Sequence, residues 1–307
     1  MHAVPSLVAR CRTSIVAVTL LAALAGGCGG ADGASAAGPA PRVGNQILFS
    51  SVRGAPSDIF VMHPDGSGAR SVTAQPQSNQ HGDYTPDGFG VVFMSNRTGL
   101  FQLFSIGING RGLVQLTDGP GANGFPRWSP DGSRVLFTSS RDGNFELYTI
   151  RADGSQPTRL TVNPGDDVGG AWSPDGARIA FFSARGVARE LYVMRADGSD
   201  LVRVTSDGLE KGSRVAWSPD GTRLVYHAYR DGSSDIFIVN ADGTGGRALT
   251  SDASNDRYAV WSPDGTRIAF ATDRDGNDEV YVMNIDGAAP VRLTRNPGPD
   301  IPDAWSR

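Results

Sequence analysis

Asn79, Asn123, Asp167, Asp256 and Asp300 each stand six residues beyond a threonine: Thr73, Thr117, Thr161, Thr250 and Thr294. Carboxylates and amides supply hard oxygen atoms, so five of them brought to one point could coordinate calcium. They could equally receive a cationic or hydrogen-bonding segment of another protein. After a sixth threonine, Thr205, the segment is one residue longer and places Lys211 or Gly212 at the corresponding position; Lys211 is the only lysine of the chain. The candidate binding set is therefore Asn79, Asn123, Asp167, Lys211, Asp256 and Asp300. It is a site only if the fold makes these side chains converge, since Asn and Asp also form local turns with nearby backbone.

Other chemistry finds little support. The sequence has no Gly-x-Ser-x-Gly elbow, no Gly-x-x-x-x-Gly-Lys phosphate loop and no His-Glu-x-x-His pair. Beyond the N-terminal segment the histidines are His63, His81 and His227, in different sequence contexts. His63 precedes a Pro-Asp-Gly turn and is expected to face solvent. His81 is the one candidate acid or base.

The N-terminus reads as a processing signal. Arg10 and Arg12 form a basic start, Thr13 to Gly27 carries no charge, and Leu-Ala-Gly-Gly-Cys places small residues before Cys28. This resembles the cleavage box of bacterial lipoproteins. The expected organisation is a signal peptide over 1–27, a lipid-bearing Cys28 with a Gly-, Ala- and Pro-rich tether to 44, and one domain over 45–307. Cys11 lies in the removed part, so the domain has no disulfide and no thiol chemistry. Without Arg10 and Arg12, 26 basic residues face 32 acidic ones, a formal charge of −6. Nucleic acid is excluded as a partner by that sign.

The elements that would position the candidate residues follow from composition and repeats. The chain is 39% hydrophobic and 20% charged, with 40 glycines and 19 prolines, which favours many short strands joined by turns. Tyr84, Trp128, Trp172, Trp217, Trp261 and Trp305 are spaced 44, 44, 45, 44 and 44 residues apart. A second column follows in Phe49, Phe93, Phe137, Phe181, Tyr226 and Phe270, so six units of about 44 residues run from Gly44 to Arg307. Within a unit, "FPRWS", "RVLFTSS", "FELYTI" and "PTRLT" read as strands separated by "PDG", "RDGN" and "ADGS" turns. Four antiparallel strands repeated six times predict an all-β, six-bladed β-propeller. The aromatic columns are expected to pack between blades. Arg53, Arg97, Arg141, Arg185, Arg230 and Arg274 are each followed five residues later by Asp58, Gln102, Glu146, Glu190, Asp235 and Glu279, which predicts a pair across each hairpin.

The first unit begins at Gln46 with what is the second strand elsewhere, and the chain finishes on "IPDAWS", a first strand with no unit after it. The two are predicted to share one blade, closing the ring without a free sheet edge.

The repeated "WSPDG", "SxRDG" and "LYVMxxDG" phrases, as in Trp172 to Gly176 and Leu191 to Gly198, resemble the repeats of TolB-type propellers over residues 44–307. That resemblance implies a cell-envelope protein facing the periplasm or exterior, a monomer that binds an envelope protein or peptide segment through the mouth of its channel. The alternative is a propeller enzyme or metal-binding protein, a calcium-dependent hydrolase or an oligosaccharide lyase, using the same mouth. No cofactor is expected beyond calcium.

Overall fold

The computed structural model describes residues 44–54, 56–74 and 76–306; the expected signal peptide, Cys28 and all but the last residue of the expected tether lie outside the described residues. The described residues form six four-stranded antiparallel sheets with no helix. Blade 1 contains β1 (Ile47–Ser51), β2 (Asp58–Met62) and β3 (Arg70–Ser71). Blade 2 is β4 (Asn79–Tyr84), β5 (Gly90–Thr98), β6 (Leu100–Gly107) and β7 (Val114–Gln115). Blade 3 is β8 (Asn123–Trp128), β9 (Arg134–Ser139), β10 (Glu146–Arg151) and β11 (Thr158–Arg159). Blade 4 is β12 (Asp167–Trp172), β13 (Arg178–Ser183), β14 (Glu190–Arg195) and β15 (Val202–Arg203). Blade 5 is β16 (Lys211–Trp217), β17 (Arg223–Arg230), β18 (Ser233–Asn240) and β19 (Arg247–Ala248). Blade 6 is β20 (Asp256–Trp261), β21 (Arg267–Thr272), β22 (Glu279–Asn284) and β23 (Val291–Arg292). The last strand, β24 (Asp300–Trp305), pairs with β1 from Ile47↔Trp305 to Ser51↔Asp300 and completes blade 1. The closure read from the orphan "IPDAWS" segment is thus the observed one.

The apolar core is divided among the blade junctions. One cluster joins Val168 and Phe182 of blade 4 to Val215 and Tyr226 of blade 5, and another joins Ala269 and Val280 of blade 6 to Ile47, Phe49 and Trp305 of blade 1. Every blade is therefore buried on both faces, which is why its middle strands read as nearly unbroken apolar runs. Phe49, Phe93, Phe137, Phe181 and Phe270 are fully buried, each against an aromatic residue of the next strand in its own blade, as Phe137 is on Tyr148 at 5.7 Å.

Antiparallel pairing gives the disc two faces. One, the loop face, carries the segments that lead into the innermost strands and the hairpins between second and third strands. The other, the turn face, carries the Ser-Pro-Asp-Gly turns. Those turns are held by their own side chains: Ser218 Oγ donates to Asp220 Oδ1 at 2.5 Å, and Thr222 N–H donates to the same oxygen at 3.0 Å. These bonds hold Asp220 and Asp264 down at about pKa 2.

Candidate functional site

The six candidate residues begin the six innermost strands, and each is almost wholly buried. They stand in six separate networks, and no hydrogen bond or ion pair joins one of them to another. Asn79 Oδ1 accepts from Arg97 at 3.0 Å while its Nδ2 donates to Asp58 Oδ1 of the preceding blade at 3.2 Å. Asn123 repeats this with Arg141 and Gln102. Asp167, Asp256 and Asp300 face Arg185, Arg274 and Arg53 at 3.0, 3.2 and 3.5 Å. Burial pushes all three carboxyls upward, against the pull of those guanidiniums. Among the described residues, no group of three or more His, Cys, Asp or Glu side chains is arranged to hold a metal ion.

The arginine column follows a different pairing from the one the sequence suggested. In five blades the guanidinium turns inward to the innermost strand, and lies over the blade's own aromatic pair, as Arg97 lies 5.6 Å from Phe93 and 4.6 Å from Phe104. The carboxylate five residues later is held instead by the fourth strand: Glu146 accepts from Thr161 Oγ1 at 2.5 Å and pairs with Arg159 at 3.1 Å. Only Arg230 pairs as expected, with Asp235 at 2.8 Å. The cause is Lys211. A cation at that position cannot accept from Arg230, so Arg230 turns to Asp235, and Lys211 reaches back to Glu190 of blade 4 at 3.0 Å and to Asp207.

Convergence on the axis comes two residues further along. Register shifts in the innermost strands of all six blades insert a bulge. The third residue takes a positive φ at His81, Phe125, Gly169 and Tyr258. Glycine is required at 169, where a Cβ would stand 1.8 Å from Ser213 O. His81 stacks on Phe125 at 4.7 Å and lies 6.3 Å from Tyr258 of blade 6. Next comes an ionic layer. Arg214 of blade 5 donates to Pro302 O, Asp303 O and Asp303 Oδ1 at 3.1, 2.6 and 2.9 Å, and Arg127 of blade 3 donates to Gly82 O and Asp303 O at 3.0 and 3.3 Å. Burial, then the charge of Arg127, brings Arg214 down to about pKa 10. Asp303 is also buried, but its contacts with His81, Arg214 and Ser50 hold its pKa below the usual carboxylate range.

Ser50, Asp303 and His81 are the residue types of a hydrolytic triad in the wrong order. Ser50 Oγ donates directly to Asp303 Oδ2 at 2.5 Å, and His81 Nδ1 stands 3.6 Å from Asp303 Oδ1, so no imidazole receives the serine proton. Burial also lowers the His81 pKa.

Below the ionic layer the axis opens at the turn face into a bowl of about 290 Å³. All six blades line it: the Tyr84-to-Trp305 column forms the wall, Pro86, Pro130, Pro174, Pro219 and Pro263 the rim, and Asp83, Arg127 and Asp303 the floor. Asp83 Oδ2 accepts from Trp128 N–H at 2.8 Å, and burial raises its pKa against the opposing charge of Arg127. The signal for these axial residues is a stretch that does not repeat: His81, Phe125, Gly169, Ser213, Tyr258 and Pro302 are six different residue types, lying between the Asn/Asp column that begins the strand and the aromatic column that ends it.

The sequence matches the family described as the TolB beta propeller domain over residues 113–215 and 207–306, more than half of the chain. The chain belongs to the TolB β-propeller family. No curated protein matches it in sequence. Among solved structures it is similar to TolB from Acinetobacter baumannii, with 24% identity and a TM-score of 0.77 over 85% of this chain and 66% of that one. It thus spans just under two thirds of that TolB. A putative TolB from Agrobacterium tumefaciens matches at 21% identity and a TM-score of 0.68, over 83% of this chain and 97% of that one. An oligogalacturonate lyase from Vibrio parahaemolyticus shares the propeller at 14% identity and a TM-score of 0.55, over 82% and 73%. These likenesses establish the TolB-like propeller fold.

Proposed function

We propose that this TolB-family propeller is a non-enzymatic cell-envelope module, anchored through lipid on Cys28, that holds a segment of another envelope protein at the loop-face mouth of its channel. The supporting observation is an asymmetry of that face. Blades 2 to 5 each raise one large apolar side chain at or beside the hairpin between second and third strands: Leu100, Phe145, Val187 and Tyr229, all substantially exposed. The corresponding hairpins of blades 6 and 1 carry Asp273, Asp275 and Asp278, and Arg53. Single exposed apolar residues are ordinary, but the same loop chosen on four successive blades favours a contact surface. In this reading Asn79, Asn123, Asp167, Lys211, Asp256 and Asp300 set the mouth by fastening the segments that enter the innermost strands.

A photo-crosslinking amino acid at Val187 tests the reading. An envelope protein joined to it in living cells, and absent when the probe is placed at Val291 on the outer edge, supports it; no adduct, or the same adducts at both positions, overturns it. Cys28→Ser is expected to move the chain from the membrane fraction to the soluble one. A parent protein that is already soluble would rule out the anchor.

A further inference from the structure

The aromatic wall of the turn-face bowl is fastened on one half and loose on the other. The indole N–H groups of Trp217, Trp261 and Trp305 donate to Ala171 O, Ala216 O and Asn45 Oδ1 at 3.1, 3.3 and 2.8 Å. Arg178, Arg223 and Arg267 lie over the same three rings at 4.7, 5.2 and 5.3 Å. Tyr84 Oη, Trp128 Nε1 and Trp172 Nε1 are buried with no partner, and among the described residues no guanidinium stacks on those three rings. The loose half belongs to blades 2, 3 and 4. The floor's Asp83 and Arg127 come from blades 2 and 3, while the fastened half presents Val215, Ala216, Val260 and Ala304.

We propose that this bowl is a second recognition site, for a peptide segment that inserts one apolar side chain and sets the adjoining main-chain N–H and C=O on the floor. The inference shares with the loop-face reading only the idea of a protein partner and uses the opposite end of the axis. The third floor residue, the Asp303 carboxylate, is already matched by Arg214 and Ser50. Of the other two, Asp83 is an acceptor and Arg127 a donor, and their charges oppose, so a cation or an anion entering alone meets one attraction and one repulsion. A peptide unit is neutral and carries a donor and an acceptor side by side, which answers Asp83 and Arg127 together. Its apolar side chain then covers Val215, Ala216, Val260 and Ala304. A sugar would press hydroxyls against that apolar half and leave them unpaired. The rings of blades 2 to 4 are held by packing alone, because nothing ties their polar atoms.

All five tryptophans of the chain line the bowl, so intrinsic fluorescence reports its occupancy directly. The full chain is titrated with N-acetyl-leucine amide, N-acetylglycine amide and methyl glucoside. A saturable change with the leucine compound alone is expected. Asp83→Asn should weaken it roughly tenfold, the scale of a hydrogen bond to a charged group, and Ala216→Leu, which fills the apolar half, should abolish it. The loop-face variant Val187→Ser should leave it unchanged, so failure here and failure of the loop-face reading are separate results. If circular dichroism shows Asp83→Asn to be unfolded, Ala216→Leu decides. Saturation by the glucoside, equal response to the glycine compound, no response to the leucine compound, or loss of binding in Val187→Ser but not in Ala216→Leu overturns the proposal.

Discussion

His227 shows what one buried side chain costs this propeller. It is 2% exposed, its Nδ1 has no partner, and Gly212 must lack a Cβ, which would fall 2.0 Å from the imidazole. Burial, then the charges of Arg257, Arg214 and Arg189, lowers its pKa from 6.5 to about 3. Below pH 6.5 the unfolded chain therefore binds a proton that the native state refuses. Stability must fall as the pH drops from 6.5 toward about 3, at up to about 1.4 kcal/mol per pH unit. Urea unfolding at about pH 7 and about pH 5, with His227→Leu beside the parent, measures this. The variant should lose that share of the slope, and equal slopes would show that the imidazole is protonated in the folded state. Asp220 and Asp264 act at lower pH: their pKa values fall from 3.8 to about 2 through Ser218 and Ser262, so the stability they contribute is lost as the pH falls through that interval.

At the scale of strands, the junction between blades 4 and 5 is the one where a single charge reversal redirects two partners. Lys211 is wholly buried against Glu190, which is itself 2% exposed. Burial alone would raise the Glu190 pKa, but bonds from Thr205, Lys211 and Arg203 bring it below the usual carboxylate range. Removing one member of a buried pair leaves the other uncompensated, so Lys211→Ala should cost about 3 kcal/mol or more. Gln102 occupies the position of Glu190 in blade 2 and bonds Thr117 and Asn123 there, so an amide fits this environment. Adding Glu190→Gln to Lys211→Ala should therefore recover part of the loss. A double-mutant cycle in urea checks it: additive losses would mean the two side chains do not interact. The Arg–carboxylate hairpin pairs expected from a five-residue spacing formed only in blade 5, because that spacing says nothing of the innermost strand that competes for the guanidinium.

The whole ring depends on β24. It contributes Trp305 to the junction with blade 6, pairs with β1, and is gripped across the axis by Arg214 and Arg127 through its own carbonyls. Trp305→Ala should cost about 3–5 kcal/mol, a large part of a typical domain's stability of about 5–15 kcal/mol. Arg214→Met should also cost about 3 kcal/mol or more, because it leaves Asp303 buried without its guanidinium, and still less than Trp305→Ala, because Asp303 keeps its bond from Ser50. Thermal unfolding of both variants tests the order, and a Trp305→Ala protein melting within a few degrees of the parent would mean that β24 does not close the ring.

Periodicity alone determined six blades, four strands in each, and the shared first blade, because packing between like sheets demands the same large side chain at the same place in every repeat. The aromatic columns and the turns were legible for that reason. The candidate set was legible as a column, yet its environment was not: Asp167 and Lys211 were visible as oxygen and ammonium, but their partners Arg185 and Glu190 are fixed by how a strand meets its own hairpin and the neighbouring blade. The axis was decided by tertiary structure. A β-bulge turns His81, Phe125 and Tyr258 to the centre, and Arg127, Arg214 and Asp303 meet there across blades that are not neighbours. No repeat pattern records such contacts, since each blade supplies a different residue to them and only the closed ring brings those residues within reach.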